Sequence, residues 1–203
     1  MKISDSKFLA LYIISIPFLP LFAQSPENNK IKNCGFEELT GKTLPLHWNI
    51  KECVNSDQEF SICNDKNLLR NGANCLKIER YNEKAELIPL GQSLNMEFTA
   101  GETIRFGGYI KSLEDFGGET CFVLSVVDGE KKMSITSKPV SGKVSEWVLS
   151  EGEYRFKFNG KLRYAGITFR PVSSYIDKKT KEKKQARGIF LYDDVFVVKT
   201  TEK

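Results

Sequence analysis

The chain has 203 residues, 30 Lys and Arg against 26 Asp and Glu, and a net charge of +4. That length fits one domain with a real core, and a mild, scattered basic excess argues against nucleic acid as a partner. With His47 the single histidine, Ser-His-Asp or Cys-His chemistry would have to use that one residue.

Residues 1–23 read as a signal peptide. Lys2 and Lys7 precede an apolar run from Phe8 to Phe22, and Phe22-Ala23 before Gln24 offers a cleavage point. A spanning helix needs about 20 apolar residues; this run is shorter, and Pro17 and Pro20 interrupt it. No later segment has a spanning pattern, so the expected location is secreted or periplasmic, without a membrane span. Residues 24–31 read as a polar, flexible leader, and 32–200 as a single domain.

Within that domain the apolar pattern has period two, which argues strands. Leu76 and Ile78 alternate inward in 75–79. Ile104, Phe106 and Ile110 do so in 103–111, where Gly107-Gly108 marks a bulge or a close backbone approach. Residues 121–127 form a buried-strand candidate closed by the turn pair Asp128-Gly129. Residues 146–149 and 154–158 read as two strands around Gly152, and Asn159-Gly160 reads as a hairpin turn. It leads into 162–170, where Tyr164, Gly166, Thr168 and Arg170 alternate with Ala165, Ile167 and Phe169. The last strand spans 188–198. Short strands with regular turn signals and no long amphipathic helix indicate an all-β sandwich.

Five cysteines stand at 34, 53, 63, 75 and 121. Oxidising compartments favour disulfides. Cys53 and Cys63 flank a polar stretch and can close a short loop; Cys34, Cys75 and Cys121 would then leave one thiol over, and sequence does not choose the pairing. No C-x-x-C spacing marks a metal site. The Lys-rich segment 177–187 reads as a solvated surface loop, the sharper alternative being a contact for an anionic polymer or membrane surface. No G-x-S-x-G, H-E-x-x-H, P-loop or G-x-G-x-x-G is present, so the chain is expected not to be an enzyme.

The ends of the domain carry two motifs. Asn33-Cys34-Gly35-Phe36-Glu37 is followed by Pro45-Leu46-His47-Trp48, and Gly188-Ile189-Phe190-Leu191-Tyr192-Asp193-Asp194-Val195-Phe196-Val197 closes the chain. Together with Asn71 to Ile78, Ile104 to Lys111 and Trp147 to Phe158, they resemble the CenC-type carbohydrate-binding modules (families 4, 9 and 22 and their galactose-binding-like relatives). The resemblance implies a two-sheet antiparallel jelly roll that binds a glycan or polysaccharide. It also implies a structural calcium site, with Glu37 and Asp193 as carboxylate ligands and backbone carbonyls from near Gly35 and from 51–53. Strand parity with Val195 and Val197 turns Asp193 inward, where a buried carboxylate needs a partner; Asp194 would point outward and is the second candidate. In such modules one concave sheet face holds the ligand. Tyr81, Arg105, Tyr109, Tyr164, Arg170 and Tyr175 are the candidates here, since Trp48 and Trp147 match core positions. The alternative is an envelope or extracellular module that binds a protein partner and has no sugar site.

Overall fold

The computed structural model describes residues 28–41, 44–49, 58–80, 90–114, 118–171, 174–176, 179–181, 183–185 and 188–200. The proposed signal peptide, Tyr81, the 51–53 segment with Cys53, and residues 177, 178, 182, 186 and 187 of the Lys-rich segment lie outside them. For Arg170 and Tyr175 the backbone alone is described.

Every regular element among the described residues is a strand. In chain order they are β1 (Leu39–Thr40), β2 (Leu44–Pro45), β3 (Gln58–Cys63), β4 (Cys75–Arg80), β5 (Leu90–Phe98), β6 (Thr103–Ser112) and β7 (Gly118–Asp128). Then come β8 (Lys131–Thr136), β9 (Val140–Ser141), β10 (Val148–Arg155), β11 (Gly160–Pro171), β12 (Ser174–Ile176), β13 (Lys183–Gln185) and β14 (Gly188–Thr200). Sheet I has the order β10-β6-β14-β4-β3; sheet II has the order β5-β11-β7-β8, with β9 also on β7. All pairings are antiparallel. From β4 to β7 the chain changes sheet at each step, and it does so again between β10 and β11. The expected all-β sandwich is therefore what the chain forms.

The core lies between the sheets. Ile104, Phe106 and Ile110 of β6 and Phe190, Tyr192 and Val197 of β14 face Phe122, Leu124 and Val126 of β7 and Leu162, Ala165 and Ile167 of β11. Each fully buried side chain of this size contributes about 1.5–3 kcal/mol. Tyr192 ties the layers together: its ring meets Phe122 edge-on at 6.3 Å, and its hydroxyl shares a 2.7 Å hydrogen bond with Thr120 Oγ1. Gly107 and Gly108 permit a close approach, as their pairing in sequence suggested. A Cβ at Gly107 would collide with the Ser150 carbonyl oxygen, and one at Gly108 would lie 2.6 Å from the Phe122 ring.

Four expectations need correcting. A single strand, β10, replaces the two expected around Gly152, and Phe156 lies buried beyond its end. Asn159-Gly160 is not a hairpin, because β10 belongs to sheet I and β11 to sheet II. Residues 29–31 of the presumed leader are docked: the Lys30 amide donates to the Val197 carbonyl at 2.9 Å, Asn29 bonds Val195 and Val197, and Ile31 is buried in the core. Finally, β14 is bulged between Asp193 and Phe196, with Asp194 at φ 46°. The bulge reverses parity, so Asp193 lies on the side of the sheet opposite Val195 and Val197 rather than with them.

Candidate functional site

The opening motif builds a turn that delivers Glu37 to the last strand. Asn33 and Phe36 take left-handed conformations (φ 49° and 60°). Asn33 Oδ1 accepts from the Glu38 amide at 2.9 Å, and Asn33 Nδ2 donates to the carbonyls of Glu38 and Leu46. Trp48 Nε1 donates to the Asn33 carbonyl at 3.3 Å, and its ring lies 4.9 Å from Phe36. Trp48 is thus a core residue, as expected. The Val195 amide donates to the Cys34 carbonyl at 3.0 Å and binds this turn to β14.

Glu37, Asp193 and Asp194 gather around Gly35. A Cβ placed there would lie 3.5 Å from Asp193 Oδ1, 3.6 Å from Asp194 Oδ1 and 3.9 Å from Glu37 Cγ. The loop between β3 and β4, residues 64–74, closes over them. Glu37 accepts from the amides of Ala73 (3.0 Å) and Asn74 (3.4 Å) and from Asn74 Nδ2 (3.2 Å). Asp193 accepts from the Asn71 amide at 3.4 Å and the Asp194 amide at 2.8 Å. Asp194 is paired with Arg70 and accepts from Asn71 Nδ2 at 2.8 Å. Asp193 is only 1% exposed. Burial pushes its carboxyl up to about 7, and Glu37 adds to the rise, while the Asn71 amide and Arg70 oppose it. Among the described residues no three His, Cys, Asp or Glu side chains form a ready metal-binding group. The groups that meet here are carboxylates, the oxygen chemistry that a hard cation prefers, and the missing side chain of Gly35 leaves space between the two aspartates.

The same loop covers the outer face of sheet I. The Arg70 guanidinium lies 3.4 Å above the centroid of the Tyr109 ring, a cation–π contact. Trp147, expected in the core, is half-buried instead, and its indole N–H donates to the Leu68 carbonyl at 3.2 Å. Arg105 is paired with Glu151 at 2.7 Å. The ligand candidates Arg105 and Tyr109 thus carry contacts from the chain itself, to Glu151 and Arg70.

Tyr164 is on the opposite surface, the outer face of sheet II, with Arg170 at the same parity by register. It stands opposite Ser93 of β5 and Ser125 of β7, and Ser125 is opposite Ser134 of β8. Two residues on, Gly166 pairs with Gly91. A Cβ at Gly166 would lie 2.8 Å from Tyr164 Cε1, so the phenol leans over the bare glycine. Its hydroxyl donates to Asn49 Oδ1 at 3.4 Å, and Asn49 in turn closes the edge of β5, accepting from the Gly91 amide (2.6 Å) and donating to its carbonyl (3.1 Å). The result is a half-exposed aromatic ring laid along the sheet and pinned at its tip, among small hydroxyl side chains. Asn49 and Arg70, which fix the two tyrosines, carry no motif that would single them out in sequence.

A cavity of about 440 Å³ opens at one end of sheet II, lined in part by Phe98, Thr99, Val127 and Arg163. Two charge pairs also line it, Lys161 with Glu97 at 2.9 Å and Lys199 with Glu102 at 2.7 Å. His47 is exposed in a left-handed turn (φ 72°). No helix of the described residues is long and apolar enough to cross a membrane.

No protein-family model matches the sequence, and no curated protein matches it. Solved structures match the fold. The CBM22-1 xylan-binding domain of Paenibacillus barcinonensis Xyn10C aligns with a TM-score of 0.52 at 14% identity, covering 83% of this chain and 93% of that one. The CBM22-1–CBM22-2 tandem of the same enzyme gives 0.51 at 14% identity, over 83% and 44%. The enzymatically active domain of bacteriophage CBA120 tailspike protein 4 gives 0.50 at 10% identity, over 87% and 22%. The fold is thus the jelly roll that carbohydrate-binding modules use, as the terminal motifs implied.

Proposed function

We propose that this chain is a secreted or periplasmic, non-catalytic module that binds a neutral polysaccharide on the outer face of sheet II. The observation that carries the proposal is Tyr164, a ring leaning over Gly166, anchored by Asn49 and flanked by Ser93 and Ser125. A sugar ring presents a C–H face to stack on an aromatic and hydroxyls to meet serines, and a platform already fixed loses little entropy on binding. The fold likeness to a xylan-binding domain makes xylan the first probe. In affinity electrophoresis through gels containing soluble xylan, galactan or mannan, at least one should retard the protein. Tyr164→Ala should weaken that retardation tenfold or more, the loss expected for a central aromatic anchor, at unchanged melting temperature. Equal retardation of the variant would remove the assignment of the face.

Calcium belongs to the same reading. Asp193, Glu37 and carbonyls beside Gly35 would hold it, with Asp194 free to join if Arg70 withdraws. There it would neutralise a buried carboxylate and cross-tie the first turn to the last strand. A melting temperature raised by calcium and lowered by chelator supports this role; indifference to both overturns it.

A further inference from the structure

The loop that covers sheet I begins and ends on cysteines. Cys63 closes β3, Cys75 opens β4, and the two are Cα partners in the antiparallel register. Opposed residues of such a pair lie about 4.5–5.5 Å apart between Cα atoms, inside the roughly 4.4–6.8 Å that a disulfide spans. Opposed residues also share a face of the sheet, and the two side chains are in hydrogen-bond contact. Both are thiols in this structure, Cys63 half-buried and Cys75 fully buried.

We propose that Cys63 and Cys75 form a cross-strand disulfide that locks the 64–74 loop over the outer face of sheet I. The sequence offered Cys53 as the partner that could close a short loop with Cys63; the register instead sets Cys75 opposite Cys63. The chemistry requires a disulfide oxidant such as oxidised glutathione. The accessible Cys63 thiolate attacks one sulfur of the oxidant, forming a mixed disulfide as the oxidant's S–S bond breaks and one thiol leaves. Cys75 then loses its proton and attacks Cys63 Sγ, and the second thiol leaves. Two electrons and two protons pass from the cysteine pair to the oxidant. Burial pushes the Cys75 thiol up and leaves little of it as thiolate, so Cys63 attacks the oxidant first and Cys75 reacts second, within the mixed disulfide.

The bond matters because of what the loop carries. Leu68 receives Trp147, Arg70 covers Tyr109, Asn71 holds Asp193, and Ala73 and Asn74 hold Glu37. Closing its base fixes all these contacts at once.

The test is a linkage map of the unmutated protein refolded in a glutathione redox buffer, alkylated without reduction and cut with trypsin and Glu-C. Cleavage after Glu59 separates Cys53 from Cys63. The expected product joins peptide 60–66 to peptide 71–77. Dithiothreitol should lower the melting temperature by about 5–10 °C, the usual worth of a short-loop disulfide in a domain of this size. The same reagent should leave Cys63→Ala unmoved. A cross-link that carries Cys34, Cys53 or Cys121 in place of either cysteine overturns the proposal, as does alkylation of both thiols after oxidation. Because the map is read on the unmutated chain, it does not depend on whether the variant folds.

Discussion

The two outer faces of the sandwich follow one alternation rule, and their tyrosines are held in different ways. On sheet I, Tyr109 and Arg105 emerge with the outward parity of β6, and the chain itself occupies them: Arg70 lies on Tyr109, Glu151 pairs with Arg105, and the 64–74 loop closes above. On sheet II, Tyr164 emerges with the outward parity of β11 and is held at its edge and tip, by Gly166 and Asn49. Outward parity thus shows which residues leave the core but not which remain available. What separates the two tyrosines is the partner that fixes each: a guanidinium laid on the ring face of Tyr109, and a hydrogen bond at the hydroxyl tip of Tyr164.

The strongest way to break this contrast is to fill the floor beneath Tyr164. A Cβ at Gly91 would collide with the Ala165 carbonyl oxygen and lie 2.5 Å from Gly166 Cα. These are backbone atoms that cannot turn aside, so β5 must lift away from β11. Gly91→Ala is expected to cost about 4 kcal/mol or more and to lose polysaccharide retardation with the fold; chemical denaturation with tryptophan fluorescence reads the first, and gel affinity the second. A near-neutral result would show that the glycine pair is not the support of this face.

The cluster beneath the sheet I loop is tested next by pH. The Asp193 carboxyl is raised from 3.8 to about 7 in the fold, so the native state favours its protonated form. Without metal, stability should be highest on the acid side and fall as pH rises from about 4 to about 7, by up to about 4 kcal/mol. Asp193→Asn keeps the shape without the charge, so its melting temperature should lose that slope and exceed that of the parent at pH 8. Calcium binds the ionised form, so it should raise the parent's melting temperature more at pH 8 than at pH 5, and leave the variant unmoved. Parallel pH profiles for the two proteins would show that Asp193 is not the group that titrates.

How much of this was legible in sequence depended on how local the cause was. The alternation in 103–111 and 162–170 gave β6 and β11 and their core residues, because a strand buried on one face writes its environment into every second residue. Strands β3, β5 and β8 carry the same alternation in shorter, more polar runs, through Phe60 and Ile62, Leu94, Met96 and Phe98, and Met133 and Ile135, and the sequence reading passed over them. The meeting of Glu37 with Asp193 was foreseen from the terminal motifs. The orientation of Asp193 was not, because the bulge at Asp194 is a two-strand event that no single-strand parity count contains. Nor could spacing separate Tyr109 from Tyr164, since their difference comes from Arg70 and Asn49, each distant in sequence from the ring it touches.

The smallest expected effect is the sharpest test of the contrast. Arg70→Met preserves the length of the side chain over Tyr109 and removes only the charge that faces Asp194. The carboxylate side chain is 36% exposed, so solvent screens most of what is lost, and the destabilisation should stay within about 1 kcal/mol. The variant should also strengthen any calcium response, because the competing cation has left the carboxylates. Polysaccharide retardation should not change, since Tyr109 remains covered and Tyr164 lies across the core. If Arg70→Met alters retardation while Tyr164→Ala does not, the ligand lies on sheet I, and the loop, not the sheet II face, is what recognises it.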